Sequence, residues 1–212
     1  MHSQVKMKLY PALQSYVAAF IPDMESIPAE RKEQLERVAG FVRKKTNAGE
    51  ETHLIFICTH NSRRSHLSQI WACVAASYYG VKGVKSFSGG TESTAFNPRA
   101  VAAIERAGFQ VENPGGTNPH YKISFSPDAP AEECFSKTYD NAVNPRENFV
   151  AIMNCSRADN ACPMVKGADM RQSIPYEDPK QTDDTQKEAV TYDERTKQIA
   201  TEIFYLFSKI QA

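Results

Sequence analysis

Apolar positions along the chain follow two different rhythms. Leu9, Leu13, Tyr16, Val17 and Phe20 recur at helical spacing, and Leu35, Val38, Ala39 and Val42 form a second stripe of the same period. Ile21-Pro22-Asp23 breaks the first pattern, Ser26 and Pro28 open the second, and Arg43-Lys44-Lys45 puts cations where a helix C-terminus favours them. From about residue 52 short unbroken apolar runs alternate with amphipathic stripes. Residues 54–57 predict a buried strand. Leu67, Ile70, Trp71, Val74 and Tyr78 predict a helix ending near Gly80. Residues 84–87 predict a second strand, and Asn97-Pro98 opens a helix through Val101 and Ile104 that Gly108 closes. Residues 149–153 form a third apolar run and residues 172–176 a weaker fourth. Ile199, Ile203, Leu206, Phe207 and Ile210 make a final amphipathic helix.

Short apolar strands separated by helices argue for an α/β fold, a parallel sheet covered on both faces. The chain divides into an N-terminal helical extension, residues 1–50, and a single domain, residues 51–212. Residues 110–148, rich in Pro, Gly, Asn and Ser, predict a surface connection with one short helix over residues 130–138. In open parallel sheets ligands bind beyond the carboxyl ends of the strands. Cys58, Ser88 and Cys155 each fall at or just past such an end.

Composition narrows the partners. The 212 residues carry 25 basic and 25 acidic side chains. That balance argues against nucleic acid or an anionic membrane as partner. No apolar stretch nears the ~20 residues of a membrane span, and the N-terminus lacks a signal peptide's basic-then-apolar layout. A cytoplasmic, reducing home is expected, with the five cysteines as thiols at rest.

The richest stretch runs from Ile57 through Cys58, Thr59, His60, Asn61, Ser62, Arg63 and Arg64 to Ser65. A strand ends, a polar loop follows and a helix begins, so backbone N–H groups from Thr59 to Ser65 surround a concavity suited to a tetrahedral oxyanion. Cys58 would sit in an electropositive cradle that stabilises its thiolate as nucleophile, and Arg64 would grip the anion with its planar fork. Ser65 can donate to the Cys58 sulfur, and Asn61 can hold the loop's shape. His60 is expected to contribute chiefly its backbone N–H.

Cys155 and Cys162 lie seven residues apart, Cys162 before Pro163, just after a predicted strand. They can pair only if the segment between them bends or unwinds. The alternative reading is two ordinary buried cysteines. Beside Cys58, the pair suggests thiol–disulfide exchange. A zinc site is disfavoured, because no C-x2-C or nearby His pair supplies the remaining ligands. Asp178, fixed by Pro179, is a candidate general acid; alone, Asp-Pro is a turn signal. Cys73 reads as core, and Cys134 has no assigned role.

At these residues the chain resembles the low-molecular-weight protein tyrosine phosphatase superfamily and, within it, the thioredoxin-coupled arsenate reductases. The resemblance rests on Cys58 to Ser65, on Phe87-Ser88-Gly89-Gly90 with Asn97-Pro98, on Cys155 to Pro163 and on Asp178-Pro179. It covers residues 52–211. It implies a three-layer sandwich with a four-stranded parallel sheet. It also implies reduction of arsenate to arsenite: Cys58 attacks arsenate, Asp178 protonates the departing oxygen, and Cys155 displaces arsenite, leaving a Cys58–Cys155 disulfide. Cys162 then takes over Cys155, and external thioredoxin reduces the exposed pair, with no bound cofactor or metal. A phosphatase acting on phosphotyrosine or a small phosphoester needs only Cys58, Arg64 and Asp178, and is the alternative. A redox-sensing or oxyanion-binding module without turnover is a third. Two positions depart from the family pattern. Arg63 stands where the reductases often have a further Cys, and adds positive charge at the loop. His60 stands where Gly is usual, and a left-handed backbone there would be strained.

Overall fold

A computed structural model describes residues 7–162 and 164–211; Pro163 lies outside the described residues. Four strands form one parallel sheet: β1 (Thr52–Cys58), β2 (Val84–Gly90), β6 (Phe149–Met153) and β7 (Ala168–Ser173), in the order β2-β1-β6-β7. Between them run α3 (Arg64–Tyr79), α4 (Pro98–Ala107) and α5 (Ser156–Ala161), and α6 (Glu188–Gln211) closes the chain. Side chains alternate across the central strand, as the two-residue period of a strand requires. Leu54 and Phe56 join the larger apolar cluster with α3, α4 and α6. Ile55 and Ile57 join a smaller one with Met153, Cys155, Ala158 and Val165. The sheet is therefore covered on both faces, as the alternation of strand and helix predicted.

Residues 7–50 pack onto the same core. α1 (Pro11–Phe20), a 3₁₀ turn (Ile21–Ser26) and α2 (Ala29–Asn47) bury Leu13, Val17, Phe20, Leu35, Val38 and Val42. Phe20 meets Trp71 of α3 and Phe204 of α6 edge-on, with ring centroids 5.7 and 5.0 Å apart. Such aromatic contacts add to the area they bury.

Three expectations are corrected. Residues 110–148, much of which is exposed, are not a connection of loop and one helix. β3 (Gln110–Glu112), β4 (Tyr121–Ser124) and β5 (Glu132–Cys134) form a three-stranded antiparallel sheet. The segment expected to be a short helix over 130–138 holds a strand, with Cys134 turned inward and fully buried. Burial raises the Cys134 thiol to about 12, so it stays protonated. The second correction concerns β2, which continues past Ser88 to Gly90, directly beside Cys58. Side chains are excluded at both glycines. A Cβ on Gly89 would lie 2.3 Å from Tyr139 Cα, and one on Gly90 2.2 Å from Glu92 O. The fourth strand also sits slightly earlier than residues 172–176, ending at Ser173.

Candidate active site

Cys58 ends β1, and α3 begins six residues later at Arg64. The loop between them turns its carbonyls into the surrounding scaffold. Cys58 O accepts from Thr91 N, Thr59 O from Glu92 N and Thr91 Oγ1, Ser62 O from Asn97 N, and His60 O from Ser136 Oγ and Thr94 Oγ1. In a trans peptide the N–H points opposite to the C=O, so this arrangement turns the amides toward the concave side. Asn61 is the pivot. It takes a left-handed φ of 44°, donates from Nδ2 to Ser65 Oγ at 2.8 Å and accepts from Lys137 N at 2.9 Å. Asn tolerates this conformation better than most residues. His60 is not among the positive-φ residues, so the strain expected there does not arise. Ser65 Oγ lies 3.1 Å from the Cys58 sulfur.

The two arginines part company. Arg64 is mostly buried; it donates to Tyr176 O at 2.9 Å and to Asp178 Oδ2 at 2.8 Å, and its Nε has no protein partner among the described residues. Arg63 keeps its backbone in the loop, but its side chain leaves. It donates to Tyr192 Oη on α6 at 2.8 Å and pairs with Asp183 at 3.5 Å. The charge expected at the loop from Arg63 is thus already neutralised by Asp183, because the carboxylate and phenol of the 183–192 segment outcompete open solvent. Asp178 faces the loop, accepting from Arg64 and, through Oδ1, from Lys180 N. Pro179 opens the short 3₁₀ turn that this carboxylate caps.

Cys155 follows β6 and caps α5, accepting from Ala158 N at 3.4 Å. Its sulfur is 3.4 Å from Thr59 Oγ1. Cys58 and Cys155 are both buried in the same small apolar cluster, and Cys162 packs against that cluster half-buried. A groove of about 300 Å³ is lined by Thr59, His60, Arg64, Cys155, Arg157 and Asp178, among others. Five of the sequence-predicted site elements therefore meet: the Cys58 loop, Arg64, Ser65, Asp178 and Cys155. Cys162 sits at the far end of α5. A rise of ~1.5 Å per residue puts it about 10 Å along the axis from Cys155, beyond disulfide reach until α5 opens.

Sequence reasoning missed the support beneath the loop. Ser136, Lys137 and Tyr139 come from the region read as a connection. Lys137 O accepts from Gly90 N, Tyr139 N donates to Gly90 O, and Ser136 Oγ donates to His60 O. The usable signal was the Gly89-Gly90 pair, which marks a close backbone approach. His66, on α3 directly after Ser65, also escaped notice. It is fully buried, stacks on Phe96 and lies 3.2 Å from Ser88 Oγ; burial holds its pKa well below the usual histidine range. Among the described residues no cluster of three or more His, Cys, Asp or Glu could hold a metal ion. Nor is any helix of the described residues long and apolar enough to cross a membrane.

This fold is that of the low-molecular-weight protein tyrosine phosphatases. It is shared with such a phosphatase from T. tengcongensis, at 16% identity and a TM-score of 0.51, over 75% of this chain and 99% of that one. It is shared equally with an arsenate reductase in the phosphate-binding state, at 20% identity and a TM-score of 0.52, over 75% of this chain and 98% of that one. The sequence itself resembles the arsenate reductase of Bacillus subtilis (strain 168), with 25% identity over 148 residues, 70% of this chain and 88% of that protein. No family model matches the chain.

Proposed function

We propose that the protein reduces arsenate to arsenite through a relay of Cys58, Cys155 and Cys162 that thioredoxin regenerates. Residues 51–212 act as the catalytic unit, in a reducing cytoplasm. The observation that carries the reading is Cys155, poised on the rim of the Cys58 cradle with its sulfur 3.4 Å from Thr59 Oγ1. Hydrolysis needs no second thiol there.

The chemistry follows from the residues. Arsenate enters the amide cradle from Thr59 to Ser65 and draws Arg64 from Asp178, since a dianion competes for the guanidinium. The Cys58 thiolate forms a sulfur–arsenic bond, and Asp178 donates a proton to the oxygen that leaves as water. The Cys155 thiolate then attacks the Cys58 sulfur. The sulfur–arsenic bonding pair passes to arsenic, which falls from As(V) to As(III) and departs as arsenite, leaving a Cys58–Cys155 disulfide. Cys162 attacks Cys155 and frees Cys58 as a thiolate, which requires α5 to open. Reduced thioredoxin supplies the two electrons that restore the Cys155–Cys162 pair. The test is arsenate-dependent NADPH consumption with thioredoxin and thioredoxin reductase. Reduced, folded protein that shows none above background sinks the proposal.

One observation favours a second reading, phosphoester hydrolysis. Cys58, Arg64 and Asp178 already converge without any movement of α5. Cys155→Ser separates the two. A phosphatase keeps its turnover, whereas a reductase halts after one adduct.

A further inference from the structure

We infer that Arg31, on α2 of the N-terminal extension, is a positioning residue for Asp178. The inference rests on Asp178 being the proton donor of the proposed reaction. Asp178 lies on the stretch that leaves β7 and crosses above the cradle. That stretch is held at three successive points. Tyr176 N donates to Asn154 O at 3.1 Å, Tyr176 O accepts from Arg64 at 2.9 Å, and Pro175 O accepts from Arg31 Nη2 at 2.7 Å. Adjacent carbonyls are thus gripped by two arginines, one from the loop and one from the extension.

Arg31 is itself fixed. Its Nε faces Glu202 of α6 at 3.4 Å, its other terminal nitrogen donates to Gln34 at 3.1 Å, and its guanidinium lies 5.5 Å from the centroid of the buried Tyr176 ring. Glu202 is nearly inaccessible and receives Gln198 Nε2 at 3.1 Å. A planar fork satisfied on three sides has little freedom, so it can transmit position rather than merely charge. This matters because Arg64 must exchange Asp178 for the anion. When Arg64 turns to the anion, Tyr176 O can lose its partner, and Arg31 and Asn154 remain to keep Asp178 over the cradle. A displacement of about 1 Å in a proton donor is enough to lower the rate substantially.

The experiment uses the full chain with Arg31→Met and Arg31→Lys, read in two ways. Phenyl phosphate has a poor leaving group that needs protonation; 2,4-dinitrophenyl phosphate has a good one that does not. Arg31→Met is expected to lower kcat for the first by about 10-fold, a partial loss against the 10²–10⁴ of a missing general acid. The second ester should change by less than about two-fold, KM for both should hold, and Arg31→Lys should recover part of the loss. Amide hydrogen exchange across residues 174–181 should rise by about 10-fold in Arg31→Met, while residues 54–65 stay protected. Unchanged exchange at 174–181 overturns the inference, as does an equal fall for both esters. If the wild type turns over neither ester, exchange across residues 174–181 alone decides the positioning role, and the reading of Asp178 as proton donor is tested separately by Asp178→Asn in arsenate turnover.

Discussion

The two halves of the site are built to opposite specifications. The Cys58 loop is held from every side: its carbonyls are taken by Thr91, Glu92, Thr94, Asn97 and Ser136, and its shape is pinned by Asn61. The Cys155–Cys162 half rests on a helix of only six residues, too short to be stable by itself. Besides the buried Cys155 and Ala158, one side chain of β7 restrains it. Arg171 donates to Cys162 O at 3.0 Å and to Asp159 O at 2.8 Å, and pairs with the Asp159 carboxylate, which Ser173 also holds. Beyond it Met164 is almost fully exposed. Electrostatic catalysis asks for donors already in place. A relay that must carry a disulfide away from a buried nucleophile asks for a segment that can open. The contrast is what the proposed relay would require.

The rigid half should break most severely. Gly90→Ala would bring a methyl group 2.2 Å from Glu92 O and 2.7 Å from both Asn61 N and Thr59 O. Displacing Asn61 collapses the cradle, so arsenate or phosphate affinity measured by calorimetry should fall about 100-fold, some 2.7 kcal/mol. An undiminished affinity would mean that the loop is less fixed than its hydrogen bonds indicate.

The half built on α5 should respond in the other direction. Arg171→Met removes the latch on α5 while leaving the cradle intact. Oxidation of Cys155–Cys162 by diamide should proceed about five-fold faster, because local opening costs less, and oxyanion affinity should stay within about two-fold. Slower oxidation would show that Arg171 orients the thiols instead of restraining them.

The smallest expected effect tests the packing beside the cradle. Burial lowers the pKa of His66 well below that of a free histidine, and that of His53 to a lesser degree. The unfolded chain therefore takes up protons below about pH 6.5 that the folded chain refuses, and stability falls as pH drops through that range. Glu202 and Glu132, whose pKa values burial raises, act oppositely by losing stability as pH rises. The useful quantity is thus the difference between wild type and His66→Gln. The urea midpoint should fall less in the variant on going from pH 7.5 to 5.5. Equal slopes would contradict a neutral, buried His66.

What the sequence made legible was local. The strand before Cys58, the cap of α4 at Asn97 and the left-handed closures at Gly80 and Gly108 are carried by neighbours in the chain. Cys58, Arg64 and Asp178 were found because each residue type has a distinct chemistry at a turn. What stayed hidden was long-range. The side chain of Arg63 points to Asp183 and Tyr192, more than a hundred residues away. Ser136 and Lys137 reach the loop only because β5 returns to it. Glycines at 89 and 90 lie past the apolar run of residues 84–87, and a glycine pair there marks close approach and chain reversal alike. The strand at Glu132–Cys134 is three residues long, too short for a two-residue period to register.

The measurement that bears most directly on the central claim is disulfide mapping of reduced protein after a single turnover with arsenate, without thioredoxin. Trapped early, the chain should carry Cys58–Cys155; trapped late, it should carry Cys155–Cys162 with Cys58 free and one arsenite released per chain. All three cysteines remaining as thiols after exposure to arsenate, or a disulfide that leaves out Cys155, would contradict the relay.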